Sequence, residues 1–428
     1  MRDLLVLAFT CGGAFFGITR PWIGVLALAV LAYMNPHRYA WGFAQGMPVY
    51  LIVFLATAVG LVLTKDKQSF PLTRETLLFL LLLGFYTLTT FVAEPDFPHA
   101  AQDHWIKVMK VYLGIFPALW LINTPNKLKW LVITIALSFG LLGLKGGVFA
   151  FGTGFNYMVW GPPNTFYGGN NEIALALNMT LPLLLLCAYQ VNQKKFKWFF
   201  YGVFFFSVCA VISSWSRGAL LTLGAVMVGI VYRSKRKWLV VPLLVVGALV
   251  ALQNLPDEWF NRMETIQTFE EDVSAMGRIE AWGYAWRRAL QDPLTGGGFE
   301  TFRGWVRDVH SAYFEILGEH GFIALGLWLF LLFGTMIMLS RMRKIALQVP
   351  GMEWVKPYAE ALQISLGAYA VGGAFLGAAY WEIFYQLVGV CVLMKVFLQR
   401  EMVKQNQTEK AGWRQVGPVE KGVVEAGR

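Results

Sequence analysis

The sequence is poor in charge. Of its 428 residues only 14% are Asp, Glu, Lys or Arg, whereas 57% are hydrophobic. Soluble domains carry about a quarter charged residues, so this shortage excludes an ordinary soluble protein and indicates a polytopic membrane protein. We find no internal repeat and no separate soluble domain.

Cysteine and metal-binding patterns are also scarce. The four cysteines lie in apolar runs, without the spacing of zinc ligands or of a disulfide framework. We interpret them as small buried hydrophobic residues. No HExxH sequence and no carboxylate-rich cluster accompanies the five histidines. The sequence therefore predicts neither a metal site nor a cofactor.

Lysine is absent between Lys237 and Lys344. Elsewhere Lys and Arg gather in every second connection between apolar segments, and this alternation predicts that those connections are cytoplasmic. The net charge of +10 therefore reflects membrane orientation, and it does not indicate nucleic-acid binding.

The apolar segments predict an all-α protein with about 12 transmembrane helices. Arg20-Pro21 interrupts the stretch 3–34. We interpret that stretch as one broken span, which places both chain termini in the cytoplasm and residues 35–46 outside. The alternative is two short spans with an external N-terminus. The predicted organisation is N-terminal helices over 1–253, a large periplasmic loop over 254–312, C-terminal helices over 313–398 and a disordered cytoplasmic tail over 399–428.

The predicted outer loop carries arginine instead of lysine. A guanidinium can donate two parallel hydrogen bonds to a phosphate and keeps its charge. We expect most of these arginines to pair with nearby acidic residues, with Arg278 as the exception. The segment 278–290 predicts an amphipathic helix on the membrane surface, with Arg278 in its first turn, where N–H groups favour an anion. Its apolar residues at helical spacing are Ile279, Trp282, Trp286 and Ala289.

Two further residues lie where predicted spans meet the outer side. Arg217 is surrounded by small and hydroxyl residues, which favours a functional role over a simple snorkelling anchor. His310 lies where the loop re-enters the apolar region, so it could take a proton from a sugar hydroxyl as a general base. His320 is interpreted as a packing residue, and His37, His99 and His104 as isolated surface residues.

Several weaker candidates complete the predicted site. Asn170 opens a span from the outside, where it could bind sugar hydroxyls, although helix capping is the default interpretation. Lys145 could extend an anion-attracting surface or simply snorkel. The glycine-rich segment 292–298 is expected to be a plain loop, because a lone Gly-Gly-Gly is weak evidence for a phosphate cradle. The remaining secondary candidates are Arg287, Arg288 and Tyr313.

Three motifs in order resemble the O-antigen ligase family, within the superfamily that includes O-antigen polymerases and bacterial protein O-oligosaccharyltransferases. They are Ser216-Arg217-Gly218-Ala219, then Gly277-Arg278 with Trp282 and 292–298, then 310–314 with Glu319-His320-Gly321. Ser311 and Asp292 depart from the usual asparagine and histidine. The N-terminal part, with 18–21 and 33–36, looks closest to the branch associated with exosortase systems.

The resemblance implies a GT-C-type glycosyltransferase in the bacterial inner membrane, with a periplasmic site and no metal or nucleotide sugar. It would move a glycan from undecaprenyl diphosphate to the lipid A–core oligosaccharide. By carry-over from the motifs, Arg217 and Arg278 would hold the diphosphate and His310 would activate the acceptor hydroxyl. A glycan polymerase or a protein O-oligosaccharyltransferase with the same donor is the main alternative, and a non-catalytic transporter of the lipid-linked glycan is a more distant one.

Overall fold

The computed structural model describes residues 1–93, 96–264, 273–304 and 309–415. These residues form fifteen α-helices: α1 (Arg2–Thr19), α2 (Pro21–Tyr33), α3 (Val49–Leu63), α4 (Arg74–Val92), α5 (Pro98–Leu121), α6 (Pro125–Gly152), α7 (Asn170–Gln190), α8 (Lys194–Ile212), α9 (Arg217–Arg233), α10 (Lys237–Asn254), α11 (Asp257–Glu264), α12 (Val273–Gln291), α13 (Ala312–Ala346), α14 (Val355–Gly372) and α15 (Glu382–Gln415). Short 3₁₀ helices at Pro36–Tyr39 and Phe43–Gly46 follow α2.

Eight helices within these ranges are long and apolar enough to cross a membrane. They are α1, α4, α6, α7, α8, α10, α13 and α15, and α2 and α3 are shorter apolar helices. The chain is therefore an all-α polytopic membrane protein, as its composition predicts. The predicted total of about 12 spans stays a prediction.

The connections between helices gather at two ends of the bundle. At one end, Lys127 binds Asp66 at 2.8 Å and Tyr358 donates to Gln190 at 3.1 Å. We call the opposite end the loop end: it carries residues 34–48, 153–169, 213–216, 255–264, 273–304, 309–311 and 373–381. There, Val159 N–H donates to the Ser213 carbonyl at 2.9 Å. The basic connections thus lie away from the loop end.

The N-terminal helices α1 and α2 form an antiparallel pair. A Cβ on Gly24 would lie 2.8 Å from Gly17 Cα, and one on Gly13 would lie 3.2 Å from Ala27 Cβ. Such small residues allow two helix backbones to approach closely. The chain reverses at Arg20, just before Pro21, where the helical hydrogen-bond pattern must end.

The chain start consequently lies at the loop end. Asp3 Oδ1 accepts hydrogen bonds from the N–H groups of Gly42 and Ala44, at 3.1 and 3.0 Å. The interpretation of 3–34 as one broken span, with the N-terminus opposite residues 35–46, is therefore wrong. Two short helices, the alternative interpretation, describe this region.

Helix α13 is broken at Gly321, whose φ of 74° and ψ of −171° are not helical. The part from Phe322 to Ala346 alone spans roughly 37 Å at about 1.5 Å per residue, which exceeds the hydrocarbon thickness of about 30 Å. The part before the break, residues 312–320, therefore extends the helix toward the loop end.

The glycine-rich segment 292–298 forms hydrogen bonds with the backbone groups on both sides of this break. The N–H groups of Gly297 and Gly298 donate to the carbonyls of Gly318 and Glu319, both at 2.8 Å. The Phe322 N–H donates to the Pro293 carbonyl at 3.0 Å. These amides satisfy backbone groups that the broken helix leaves open. The segment is a structural brace, in agreement with the plain-loop interpretation.

Replacing Gly321 with alanine should destabilise the protein. A Cβ there would lie 2.6 Å from the Pro293 oxygen, on a backbone with φ of +74°. The left-handed backbone alone costs about 1–2 kcal/mol for a non-glycine residue. The melting temperature in detergent should fall for Gly321→Ala. Gly326→Ala is the matched control, because nothing lies within 4 Å of a Cβ at that position of the same helix. Equal melting temperatures for the two variants would contradict the brace.

Helix α15 continues to Gln415, although the composition predicted a disordered tail from residue 399 onward. No glycine or proline interrupts residues 399–411, which explains why the helix can propagate. Gln405 also donates to the Pro350 carbonyl at 3.3 Å. Residues 416–428 lie outside the described residues.

Candidate active site

Arg217 is the first residue of α9 and lies at the loop end. The preceding residue caps the helix, because Ser216 Oγ accepts a hydrogen bond from the Ala219 N–H at 3.2 Å. The helix N-terminus and the guanidinium both favour a negatively charged ligand at this position. Gly218 packs against Phe375, since a Cβ on Gly218 would lie 3.0 Å from Phe375 Cβ.

The turn before Arg217 is held by the connection between α6 and α7. Besides the bond from the Val159 N–H to the Ser213 carbonyl, three side-chain hydrogen bonds join the turn to this connection and to the first residue of α7: Ser213 Oγ donates to the Tyr157 carbonyl at 2.7 Å, Trp215 Nε1 to the Phe155 carbonyl at 3.2 Å, and Asn170 Nδ2 to the Ser214 carbonyl at 2.8 Å. They fix the path of the backbone that leads into α9. The position of Arg217 is therefore set by residues remote in sequence.

Helix α11 packs on the other side of the same turn. Trp259 Nε1 donates to the Ile212 carbonyl at 3.2 Å, and Arg262 Nε donates to the Trp215 carbonyl at 3.0 Å. Trp215 has a left-handed φ of 57°. A non-glycine residue there stores about 1–3 kcal/mol of strain, which surrounding contacts must offset. These hydrogen bonds hold α11 against the turn at residues 213–216.

His310 lies two residues before the start of α13 and has a φ of 43°. The backbone on either side of it is held from two directions. Trp282 Nε1 donates to the Val309 carbonyl at 2.9 Å, and the Ala312 N–H donates to the Gly373 carbonyl at 2.7 Å. The chain around the half-buried His310 is therefore attached to both α12 and the connection between α14 and α15.

Arg278 lies on α12, one turn before Trp282. The Trp282 ring stacks on Phe314 with centroids 5.2 Å apart, so this face of α12 lies against the segment that carries His310. The prediction that Arg278 occupies the first turn is wrong, because α12 already begins at Val273. An anion at Arg278 would meet the guanidinium and not the open N–H groups of the helix start.

Helix α12 buries a face of small residues. Ala281, Ala285 and Ala289 are at most 1% exposed, and Ala285 Cβ would lie 3.3 Å from a Cβ on Gly318. Ile279 and Trp286 are 47% and 49% exposed. Of the predicted apolar face, Ala289 is buried, whereas Ile279 and Trp286 are open to the surroundings, and the placement of this helix on the membrane surface stays a prediction. The small side chains let α12 approach the backbone of α13 closely.

These contacts join the three predicted segments at the loop end. Trp282, four residues after Arg278, contacts the backbone just before His310. The Gly373 carbonyl accepts a hydrogen bond from the Ala312 N–H. Two residues later, Phe375 packs on Gly218, the residue that follows Arg217. The connection between α14 and α15 therefore links the start of α9 to the start of α13.

Comparison with known families agrees with this geometry. Residues 202–329 match the family model described as O-antigen ligase, and residues 1–188 match a family of unknown function. This match supports a place for the chain in the O-antigen ligase superfamily. No protein with a curated description matches the chain.

The O-antigen ligase region contains Arg217, Arg278 and His310. The match over residues 202–329 supports a glycosyltransferase-like enzyme of the ligase and polymerase type. The exosortase-associated branch stays a prediction.

The secondary candidate site residues lie at separate places in the structure. Arg288 pairs with Asp292 at 2.6 Å, as the acidic-neighbour interpretation predicts. Arg287 is exposed on α12. The Lys145 ammonium lies 4.2 Å from the centre of the Tyr39 ring. Arg307 lies outside the described residues.

Asn170 and Tyr313 bind backbone carbonyls. Asn170 is buried and donates to Ser214, and no side chain caps α7, so the capping interpretation is wrong. The Tyr313 hydroxyl donates to the Ala370 carbonyl at 2.7 Å. Both residues position segments that carry the predicted catalytic groups.

The sequence analysis quoted Glu319 within a motif but assigned no role to this buried carboxyl group beside the predicted site. Glu319 is 3% exposed. It accepts hydrogen bonds from the Glu300 N–H at 2.9 Å and from the Tyr380 hydroxyl at 2.6 Å. Glu319 thereby ties α13 to the loop and to the last outer connection. An acidic residue within an otherwise apolar run was the signal that could have revealed it.

His104 has a companion, which corrects its interpretation as an isolated surface residue. Its Nδ1 lies 3.1 Å from Glu300 Oε1, and this hydrogen bond lowers the pKa of the Glu300 carboxyl against the opposing effect of burial. His320 is fully buried with its Nδ1 2.6 Å from Thr89 Oγ1, in keeping with a packing role. Among the residues that the structure describes, no group of three His, Cys, Asp or Glu side chains could hold a metal ion.

Proposed function

We propose that this chain transfers a glycan from undecaprenyl diphosphate to the lipid A–core oligosaccharide. The observation that carries the proposal is the contact between the segments bearing Arg217, Arg278 and His310 within the O-antigen ligase region. The loop end would be periplasmic, because basic connections favour the cytoplasmic side. The N-terminus would then be periplasmic and the end of α15 cytoplasmic, in the bacterial inner membrane.

In the proposed reaction the acceptor hydroxyl oxygen attacks the anomeric carbon of the first sugar. His310 takes the hydroxyl proton as the new bond forms. The bond between the anomeric carbon and the diphosphate oxygen breaks, and the diphosphate leaves with the electron pair. Attack on the face opposite the leaving group inverts the anomeric centre.

Arg217 and Arg278 would stabilise the leaving diphosphate. Negative charge grows on its bridging oxygen as the bond breaks, and fixed guanidinium groups lower the energy of that state. Arginine keeps its charge at any physiological pH and can bind two phosphate oxygens at once. In this mechanism the arginines take the role that metal ions play in other diphosphate-releasing enzymes.

Transfer by the purified protein tests the proposal. The protein in lipid nanodiscs would receive lipid-linked glycan extracted from its native host, with lipid A–core, free glycan chains or a protein as acceptor. We expect lipid A–core to be glycosylated, at a rate that EDTA does not change. Transfer to glycan or to protein instead would assign the polymerase or the oligosaccharyltransferase activity and overturn the lipid A–core acceptor. Absence of transfer to all three would contradict an enzymatic function.

A further inference from the structure

A groove of about 590 Å³ opens at the loop end beside Arg217. It is lined by Thr153, Asn156, Tyr157, Trp215 and Glu258. Its size lies within the range of about 300–1,000 Å³ that is usual for small-molecule sites. Trp215 is only two residues from Arg217, so the groove adjoins the position where the diphosphate would be held.

The chemistry of the lining suits a sugar. Two aromatic rings offer flat apolar surfaces for the C–H faces of a pyranose. A carboxylate, an amide and a hydroxyl can exchange hydrogen bonds with sugar hydroxyls. Tyr157 is 62% exposed instead of packing into the bundle, and Glu258 is exposed on α11. The groove therefore combines stacking and polar groups, and none of its five lining residues is a cation.

The walls of the groove are rigid. Trp215 Nε1 is already bound to the Phe155 carbonyl, and the Trp215 carbonyl accepts from Arg262. Because its Nε1 and its carbonyl are already hydrogen-bonded, Trp215 would contact a ligand through the face of its ring. Phe155 and Trp215 both have left-handed φ values, 59° and 57°. Strained non-glycine residues of this kind cluster at ligand sites, where the surrounding contacts hold them.

We propose that this groove binds a saccharide, the part of the glycan nearest the reacting centre. The inference rests on the proposed function and adds a sugar subsite to it. Thr153, Asn156 and Tyr157 come from the region that matches a family of unknown function, whereas Trp215 and Glu258 come from the O-antigen ligase region. The N-terminal region thereby takes part in selecting the substrate.

Binding measurements on the full chain in nanodiscs test the subsite. The probes are undecaprenyl diphosphate without sugar and the lipid-linked glycan from the native host. Wild-type protein should bind the glycosylated lipid about tenfold more tightly, because stacking and charge-assisted hydrogen bonds are added. Tyr157→Ala and Glu258→Gln should remove most of this advantage and leave the affinity for undecaprenyl diphosphate unchanged. Tyr157→Phe should retain it.

Tyr189→Ala is the matched control, because Tyr189 is 72% exposed at the other end of the bundle. Binding of lipid A–core to the same variants identifies the source of the sugar. If the variants bind the lipid-linked donor less tightly than wild type, the groove holds the donor glycan. If they bind lipid A–core less tightly, the groove holds the acceptor glycan. If neither ligand binds less tightly to Tyr157→Ala or Glu258→Gln than to wild type, the subsite is overturned. Failure of wild-type transfer would instead count against the proposed function, and the binding comparison would still decide the subsite.

Discussion

Replacing His310 with alanine is expected to abolish glycan transfer while the protein still inserts into the membrane. Loss of a positioned general base costs about 10²–10⁴-fold in rate. The rate of transfer by purified variants, normalised to folded protein, is the measurement. His99→Ala is a control, because His99 is an exposed histidine in the first turn of α5.

A second His310 variant separates chemistry from backbone strain. The φ of 43° at His310 lies in the left-handed region, which asparagine tolerates better than alanine. His310→Asn should therefore keep the fold and the hydrogen bond from Trp282 of α12 to the Val309 carbonyl, yet remain inactive. Wild-type turnover by the asparagine variant would exclude His310 as the base.

Replacing Arg217 or Arg278 with lysine should reduce transfer by about 10–100-fold, since one charge-assisted hydrogen bond contributes about 1.5–3 kcal/mol. The positive charge remains in these variants, but the paired hydrogen bonds to two phosphate oxygens are lost. The measurement is the rate of transfer at saturating acceptor over a range of donor concentrations. Arg20→Lys is the control, because Arg20 is an exposed arginine at the turn between α1 and α2, at the end of the bundle opposite the loop end.

The double variant tests whether the two arginines act on one group. If both bind the same diphosphate, the combined loss should differ from the product of the two single losses. Normal activity of both lysine variants would exclude bidentate binding as the reason for arginine at these positions.

The general architecture could be predicted from composition. Hydrophobicity and the alternation of basic connections indicated a polytopic helical protein, and α11 and α12 lie in the long connection between α10 and α13. The pairing of α1 with α2 could not be read from hydropathy, because it depends on close contact between Gly17 and Gly24. The buried alanine face of α12 was not predicted, because periodicity gives weight to large apolar residues and not to alanine.

The sequence identified individual residues of the candidate site but not their arrangement in space. Motif order singled out Arg217, Arg278 and His310, but nothing in the sequence indicated how their segments meet. Those junctions use backbone carbonyls, such as that of Val309 bound by Trp282, and a carbonyl is present at every position. The pairing of His104 with Glu300 joins residues that are far apart in the chain, so one sequence gives no sign of it.

The brace between residues 292–298 and the break in α13 has a mechanical consequence. Helix α12 ends directly in this brace, so the outer loop cannot swing as a free flap without unpairing the amides of Gly297 and Gly298. Any tilt of the transmembrane part of α13 is instead transmitted to α12. The guanidinium of Arg278 would then shift in step with movements inside the bilayer.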